Sequence, residues 1–474
     1  MASASSERIK EVFRVCRVQL EGKKRDDYLA AVLGLIFLHY CAWQLKSVNL
    51  APIYAVKDDP EVLDLLDSFA RSVELELKFG IRSIFPISYV KLGEDIDFFQ
   101  MVSQLLDALS VVKRDDFLPV TELVDYAIDV SGIKEVRGKE PSTPESVASL
   151  IAELMSVDPV SPETVYDPCS GYGVMLRHIA QRLGCRVSGQ EIDEITRAIS
   201  IIQLTIHDVD AHGIMCGDSF SAPQNVRDGK LETYDAVVVN PAFWGRDWNM
   251  NMTADGDGRH MTPEMDPWHR FDYGVPSPTK CDYAFLMHSS ACTKKDCIDY
   301  MVVPNGALFR TASEAKIRKI MLESGHLLTV IGLPARLFDV TGAPACVIIF
   351  KKGEPLSKII AEHKEELVGD VYFIDATNLG HVCPSKRTRR YLSEEDISKI
   401  VKAYAERKDI PLFARNVSLQ EIRDNDYNLN ISRYIMNVDD ASMFDANHLE
   451  QEISNLEERL KVVQSEMQRL RDEL

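Results

Sequence analysis

Hydrophobic positions recur at helical spacing along the first 135 residues. Residues 28–45, residues 60–78 behind Asp58 and Asp59, residues 98–112, and residues 118–130 ahead of Gly132 each carry the apolar stripe that a helix buries on one face. The pattern predicts an α-helical N-terminal domain over residues 1–135. A polar stretch rich in Gly and Lys follows at 131–142, after which Thr143 as N-cap and Pro144 at the first helical position are expected to open another helix. In it Val147, Leu150, Ile151, Leu154 and Met155 form one stripe. From residue 164 the rhythm changes. Short β-rich runs at 164–166, 186–189, 236–239 and 299–303 alternate with helical segments at 174–183, 193–207 and 283–292, as in a doubly wound α/β domain. Further β-rich runs at 329–332, 346–350 and 371–374 extend the expected sheet to about residue 375, within a domain spanning residues 136–440.

The tail, residues 441–474, has a different period. Ala446, Leu449, Ile453, Leu456, Leu460, Val463, Met467, Leu470 and Leu474 alternate spacings of three and four, the seam of a coiled-coil helix. One helix cannot bury such a seam alone. It must pair with a helix of a partner or fold back on its own chain; the charged outer positions favour a partner.

Composition narrows the class. With 474 residues, 45% hydrophobic and 27% charged, the chain can fill two or three packed domains, which excludes wholesale disorder. The longest nearly uncharged apolar run, residues 29–43, falls short of the roughly 20 residues that cross a bilayer and contains His39, so no membrane role is expected. Residues 1–10 lack an apolar signal core, which predicts a cytoplasmic chain whose ten cysteines are reduced. None form a CxxC pair; Cys292 and Cys297 are expected to be core thiols and no metal site is predicted. The final Arg471-Asp472-Glu473-Leu474 resembles an ER-retention address by chance. A net charge of −19 works against non-specific attraction to a polyanion, so any nucleic-acid role needs local basic patches or a partner.

The chemistry begins at Asp167-Pro168-Cys169-Ser170-Gly171-Tyr172-Gly173, between a strand and a helix. Gly171 and Gly173 let backbone approach a ligand, and the helix start offers free N–H groups. Leu176 stands where a dinucleotide site wants Gly or Ala, which disfavours NAD. An acid at the start of the turn, Asp167, suits a ligand carrying an amino group and a sulfonium, and so points to S-adenosyl-L-methionine. Glu191, after the second strand, is placed to accept ribose hydroxyls. In the next turn Asp218 can accept from an adenine amino group with Phe220 against the ring. The fourth signal is the apolar strand 236–239 running into Asn240-Pro241-Ala242-Phe243. The lone pair of an adenine amino group is delocalised into the ring. The Asn240 side-chain oxygen and the Pro241 carbonyl can accept its two hydrogens and favour a more pyramidal nitrogen, while Phe243 stacks on a flipped base. Residues 244–279, which hold Trp244, Trp248 and Trp268, read as a lid over the base pocket or as a loop packed on the sheet edge.

At these residues the chain resembles the modification subunits of Type I restriction-modification systems, which are DNA adenine-N6 methyltransferases. Residues 167–176 match the family's DPACGSGGFL and residues 240–243 its NPPF. The likeness continues through residues 280–288, 303–309, 331–334 with Thr341 and Gly342, and 426–434, and through the N-terminal helices, notably 28–37. The resemblance implies a Rossmann-like methyltransferase domain in which Asp167, Gly171 and Gly173 lie at the methionine part of the cofactor, with Thr143 near its carboxylate. Glu191 would hold the ribose and Asp218 the adenine. It further implies a separate DNA-specificity subunit, double-stranded DNA held through the complex, and a second copy of this chain there. The chain has no P-loop lysine, so ATP-driven translocation and cleavage would fall to a nuclease/translocase subunit. Two positions depart from the family: Ala242 replaces the second proline and Val174 a glycine. They leave open a catalytically weakened assembly module, and the acceptor logic also permits cytosine N4, an RNA base or a protein glutamine as target.

Overall fold

The computed structural model describes residues 25–45, 48–80, 83–110, 143–241, 248, 266–338, 344–352, 370–383 and 386–435. The expected helix at 118–130, residues Ala242, Phe243 and Trp244, and the heptad tail lie outside the described residues.

At the centre is a nine-stranded sheet in the order β13-β10-β8-β9-β7-β6-β1-β2-β3. Its strands are β1 (Thr164–Asp167), β2 (Arg186–Glu191), β3 (Ile214–Cys216), β6 (Tyr234–Val239), β7 (Thr293–Pro304), β8 (Leu327–Gly332), β9 (Ala345–Lys351), β10 (Val371–Asp375) and β13 (Ala414–Val417). Two hairpins, β4 (Val226–Arg227) with β5 (Lys230–Leu231) and β11 (His381–Cys383) with β12 (Lys386–Tyr391), stand outside it. β6, β1, β2 and β3 pair in parallel, as do β6 with β7 and β8 with β10. β9 runs antiparallel between β7 and β8, and β13 antiparallel on β10. The sheet is therefore mixed and ends at residue 417, not at 375. The pattern alone hid this, because parallel and antiparallel strands buried on both faces read as the same continuous apolar run. β13, with Arg415 and Asn416 at its centre, is too short and polar to be recognised.

Alternation along each strand divides the core. Val347 and Ile349 of β9 join the cluster on one face, while Cys346, Ile348 and Phe350 join that on the other. The first face is covered by α4 (Glu145–Ser156), α5 (Val174–Leu183), α6 (Glu194–Ile206) and α9 (Glu394–Glu406); the second by α7 (Asp282–Cys292) and α8 (Ser313–Glu323). The N-terminal helices α1 (Arg25–Gln44), α2 (Glu61–Glu76) and α3 (Ile96–Leu109) share the first cluster without a break. Tyr40 donates to the Thr205 carbonyl of α6 at 3.3 Å, and His212 stacks on Phe79 at 4.4 Å. His39 is buried in α1 between the Leu35 carbonyl and the Tyr54 hydroxyl, and burial pulls it down to about 4. No described helix is long and apolar enough to cross a membrane.

Helix α4 starts one residue later than the sequence suggests. Pro144, extended at ψ 138°, is its N-cap and its carbonyl accepts from Ala148, so Thr143 stands just outside the helix. Cys292 is buried, accepting from Asn225 Nδ2 at 3.3 Å, with its thiol pushed up to about 12 by burial. Cys297 is only half-buried, contrary to the expectation of a core thiol. All nine described cysteines are free thiols, and no group of side chains among the described residues could hold a metal ion.

The strand that carries Asn240 is tied to its neighbour by a buried carboxylate. Asp299 of β7 accepts from the Val237 N–H at 2.9 Å and from the Thr293 hydroxyl at 2.7 Å, next to the register shift between Tyr234 and Ala236. Burial pushes Asp299 up to about 7. The folded state thus binds a proton that the unfolded state releases near pH 4, so this group's stabilisation is full below pH 4 and declines as pH rises to 7. Asp299→Asn keeps the acceptor without the charge. Chemical denaturation should show wild type losing on the order of 2 to 4 kcal/mol relative to Asp299→Asn between pH 4 and 7, and nothing further above it. A pH-independent difference would refute this account.

Candidate active site

Because β6, β1, β2 and β3 are adjacent and parallel, their C-terminal ends share one edge of the sheet. That edge carries Asn240, Asp167, Glu191 and Asp218 in this spatial order.

Asp167 ends β1 and is 2% exposed; its carboxylate accepts from the Cys169 N–H at 2.9 Å. Burial pushes it up to about 7 against the effect of that bond, and the Glu191 charge adds to the rise. Glu191 ends β2 and accepts from the Gly171 N–H and the Asp193 N–H, each at 3.0 Å, so it latches the glycine turn to the neighbouring strand. Burial raises it as well. Two carboxylates desolvated side by side favour a cation between them.

The two glycines do different work. Both are left-handed, Gly171 at φ +54° and Gly173 at φ +77°. A Cβ on Gly171 would meet nothing within 4 Å, whereas one on Gly173 would lie 2.5 Å from Ser200 Oγ. Gly171 therefore borders open space at the strand ends, while Gly173, the N-cap of α5, is needed for close packing of α5 on α6. Gly173 thus has a packing role that the sequence reading did not assign to it.

Asp218 follows β3 and is half-buried, accepting from the Phe220 N–H at 2.9 Å. Phe220 is buried, with ring centroids 4.6 Å from Phe285 and 5.2 Å from Trp248. Beneath this turn lies a group the sequence reading missed. Arg270, fully buried and paired with Asp266 at 2.7 Å, donates to the Ser219 carbonyl at 2.9 Å and the Phe220 carbonyl at 2.8 Å. The signal was available as an acid and an arginine four apart inside the tryptophan-rich segment. Trp248 donates to the Ser277 carbonyl at 3.0 Å and packs on Phe271. The described part of residues 244–279 is thus built into the second core cluster.

At the end of β6, Asn240 Nδ2 donates to Thr143 Oγ1 at 3.0 Å, and Asn240 Oδ1 is buried without a hydrogen-bond partner. Pro241 is buried beside it. Phe243 falls outside the described residues. Behind the site, Arg318 donates to the Tyr427 carbonyl at 2.8 Å and the Ala307 carbonyl at 3.3 Å, while Arg310 pairs with Asp282 and Glu314. These contacts knit the segments around 280–288, 303–309 and 426–434 together. A cavity of about 800 Å³ opens at the opposite edge, lined by Thr164, Arg186, Lys230 and Lys294, and contains none of these site residues.

The model of the N-6 DNA Methylase family matches residues 134–442. The chain belongs to the N-6 DNA methylase family. It is 31% identical to the Type I restriction enzyme MjaVII methylase subunit of Methanocaldococcus jannaschii, over 93% of this chain and 78% of that one. To the MjaVIII methylase subunit of the same organism it is 30% identical, over 91% of this chain and 73% of that one. It is accordingly a methylase of the Type I restriction-modification kind. The fold is that of the type I restriction-modification methyltransferase subunit from Streptococcus thermophilus, at a TM-score of 0.66 and 23% identity over 91% of this chain and 99% of that one.

The two glycines of this N-6 DNA methylase give a direct contrast. Gly173→Ala combines left-handed strain with a clash and should lower stability by about 2 to 4 kcal/mol, while Gly171→Ala carries the strain alone, about 1 to 2 kcal/mol. Urea denaturation of both variants measures it; equal losses would show that Ser200 gives way.

Proposed function

We propose that this methylase subunit transfers a methyl group from S-adenosyl-L-methionine to the N6 amino group of an adenine flipped out of duplex DNA. It does so in complex with a separate DNA-specificity subunit. The observation that carries this reading is the unpaired, buried Oδ1 of Asn240 at the end of β6. A buried acceptor without a partner costs roughly 1 to 3 kcal/mol, and it is repaid when an amino group arrives at that point.

The cofactor fits the neighbouring residues. The open space over Gly171 and the desolvated pair Asp167 and Glu191 suit a ligand with a positively charged methionine part. Glu191 would hold the ribose, and Asp218 the adenine, with Phe220 as an apolar wall. S-adenosyl-L-methionine supplies an already activated methyl group, so the protein has only to orient the acceptor nitrogen. Asn240 Oδ1 and the Pro241 carbonyl take the two amino hydrogens and hold the nitrogen with its lone pair toward the cofactor side, and Phe243 stacks on the base. A chain at −19 is poorly suited to gripping DNA, which supports delegation of DNA binding to a specificity subunit. Residues 441–474 would provide the pairing helix, a second copy of this chain would complete the complex, and a nuclease/translocase subunit would perform cleavage.

Two measurements test this. Asn240→Ala should leave cofactor affinity near wild type and lower methyl transfer by about 10² to 10³, read as tritiated-methyl incorporation into DNA with the specificity subunit present. A wild-type rate in that variant would remove Asn240 from the mechanism. On the cofactor side, a cation binding beside Asp167 requires its ionised form, so below pH 7 binding must first expel a proton. Calorimetry should show S-adenosyl-L-methionine affinity falling by up to about tenfold per pH unit below 7, with a proton released. Asp167→Asn should bind more weakly at every pH and lose that dependence; an unchanged pH profile in the variant would assign it to another group.

A further inference from the structure

This inference rests on the methyl-transfer reading above and deepens it at one residue. We propose that Thr143 is a positioning residue that holds the Asn240 amide by its donor end and so leaves the acceptor end for the base. A side-chain amide has a donor end and an acceptor end of almost the same shape, and only the acceptor end can bond an amino hydrogen of adenine. Turned over, Asn240 would present N–H to N–H. The bond from Asn240 Nδ2 to Thr143 Oγ1, 3.0 Å long, occupies the donor end and leaves the buried Oδ1 unpaired.

The bond joins two stiff pieces of backbone. Thr143 precedes Pro144, and the residue before a proline is confined to extended conformations. Pro144 is in turn fixed as the N-cap of α4 at φ −58° and ψ 138°. Asn240 directly follows Val239, whose partner across the β6–β7 pairing is Met301, and both are buried. The hydroxyl is therefore delivered to the amide by elements that have no freedom to drift.

This role differs from the family's implied contact between Thr143 and the cofactor carboxylate, and the two separate in the kinetics. A carboxylate contact is lost in cofactor affinity; an orienting contact is lost in kcat. In the full-length chain with its specificity subunit, Thr143→Val should lower kcat for DNA methylation about tenfold, the equivalent of one hydrogen bond. The dissociation constant for S-adenosyl-L-methionine should stay within about twofold of wild type. Thr143→Ser should regain most of the rate.

A Thr143→Val complex with wild-type kcat, or one impaired only in cofactor affinity, overturns the positioning role and leaves the methyl-transfer reading intact. A wild-type complex that binds cofactor yet transfers no methyl to DNA overturns that reading, and this role with it.

Discussion

Parallel pairing of β6, β1, β2 and β3 is the constraint on which the rest of this molecule depends. A parallel pair cannot be closed by a tight turn, so each strand must be followed by a crossover that returns over a face of the sheet. Every strand in the run then ends on the same edge. Four polar positions that are far apart in the chain become neighbours for that reason alone. Asp167, Glu191, Asp218 and Asn240 need no contact with one another to form a site; the pairing of four strands brings them to one edge, and local bonds aim each side chain.

Those local bonds explain how acids are kept at the edge of an apolar sheet. Asp167 and Glu191 are held partly by backbone N–H groups, from Cys169, Gly171 and Asp193, which do not fully offset burial. Both carboxyls sit above their ordinary range, so the site is electrostatically unfinished in a way that an acidic chain as a whole does not explain. The −19 charge is spread over a surface where water screens it, whereas these two charges are desolvated and close. The local effect is the larger one at the site.

Much of this was legible in the sequence. Helix α5 has the bounds that its apolar spacing gives, Val174–Leu183, and the four strand-end signals lie where an alternating βα rhythm puts them. What could not be read has physical causes. The antiparallel insertion of β9 is invisible because a strand buried on both faces has the same composition in either direction. The different duties of Gly171 and Gly173 depend on Ser200, a residue on another helix. The Thr143–Asn240 bond spans 97 positions, and read locally Thr143 is simply a good N-cap. Local grammar finds which residues carry polar chemistry; only the packed sheet shows which ones meet.

Arg270 ties together two segments that are separate in the chain. The turn that holds Asp218 follows β3, and the segment that holds Arg270 follows the Asn240 motif in the chain. A guanidinium can donate in several directions at once, and here it spends those donors on the carbonyls of Ser219 and Phe220 as well as on Asp266. A buried pair of this kind gains little stability over an apolar one, because desolvation nearly cancels the attraction. What it adds is direction, since the carbonyls must lie where the fixed fork of the guanidinium can reach them. Packed between Trp268 and Phe271, Arg270 cannot shift without moving both. The Asp218 turn and the segment that follows the Asn240 motif are therefore set in position by one buried side chain.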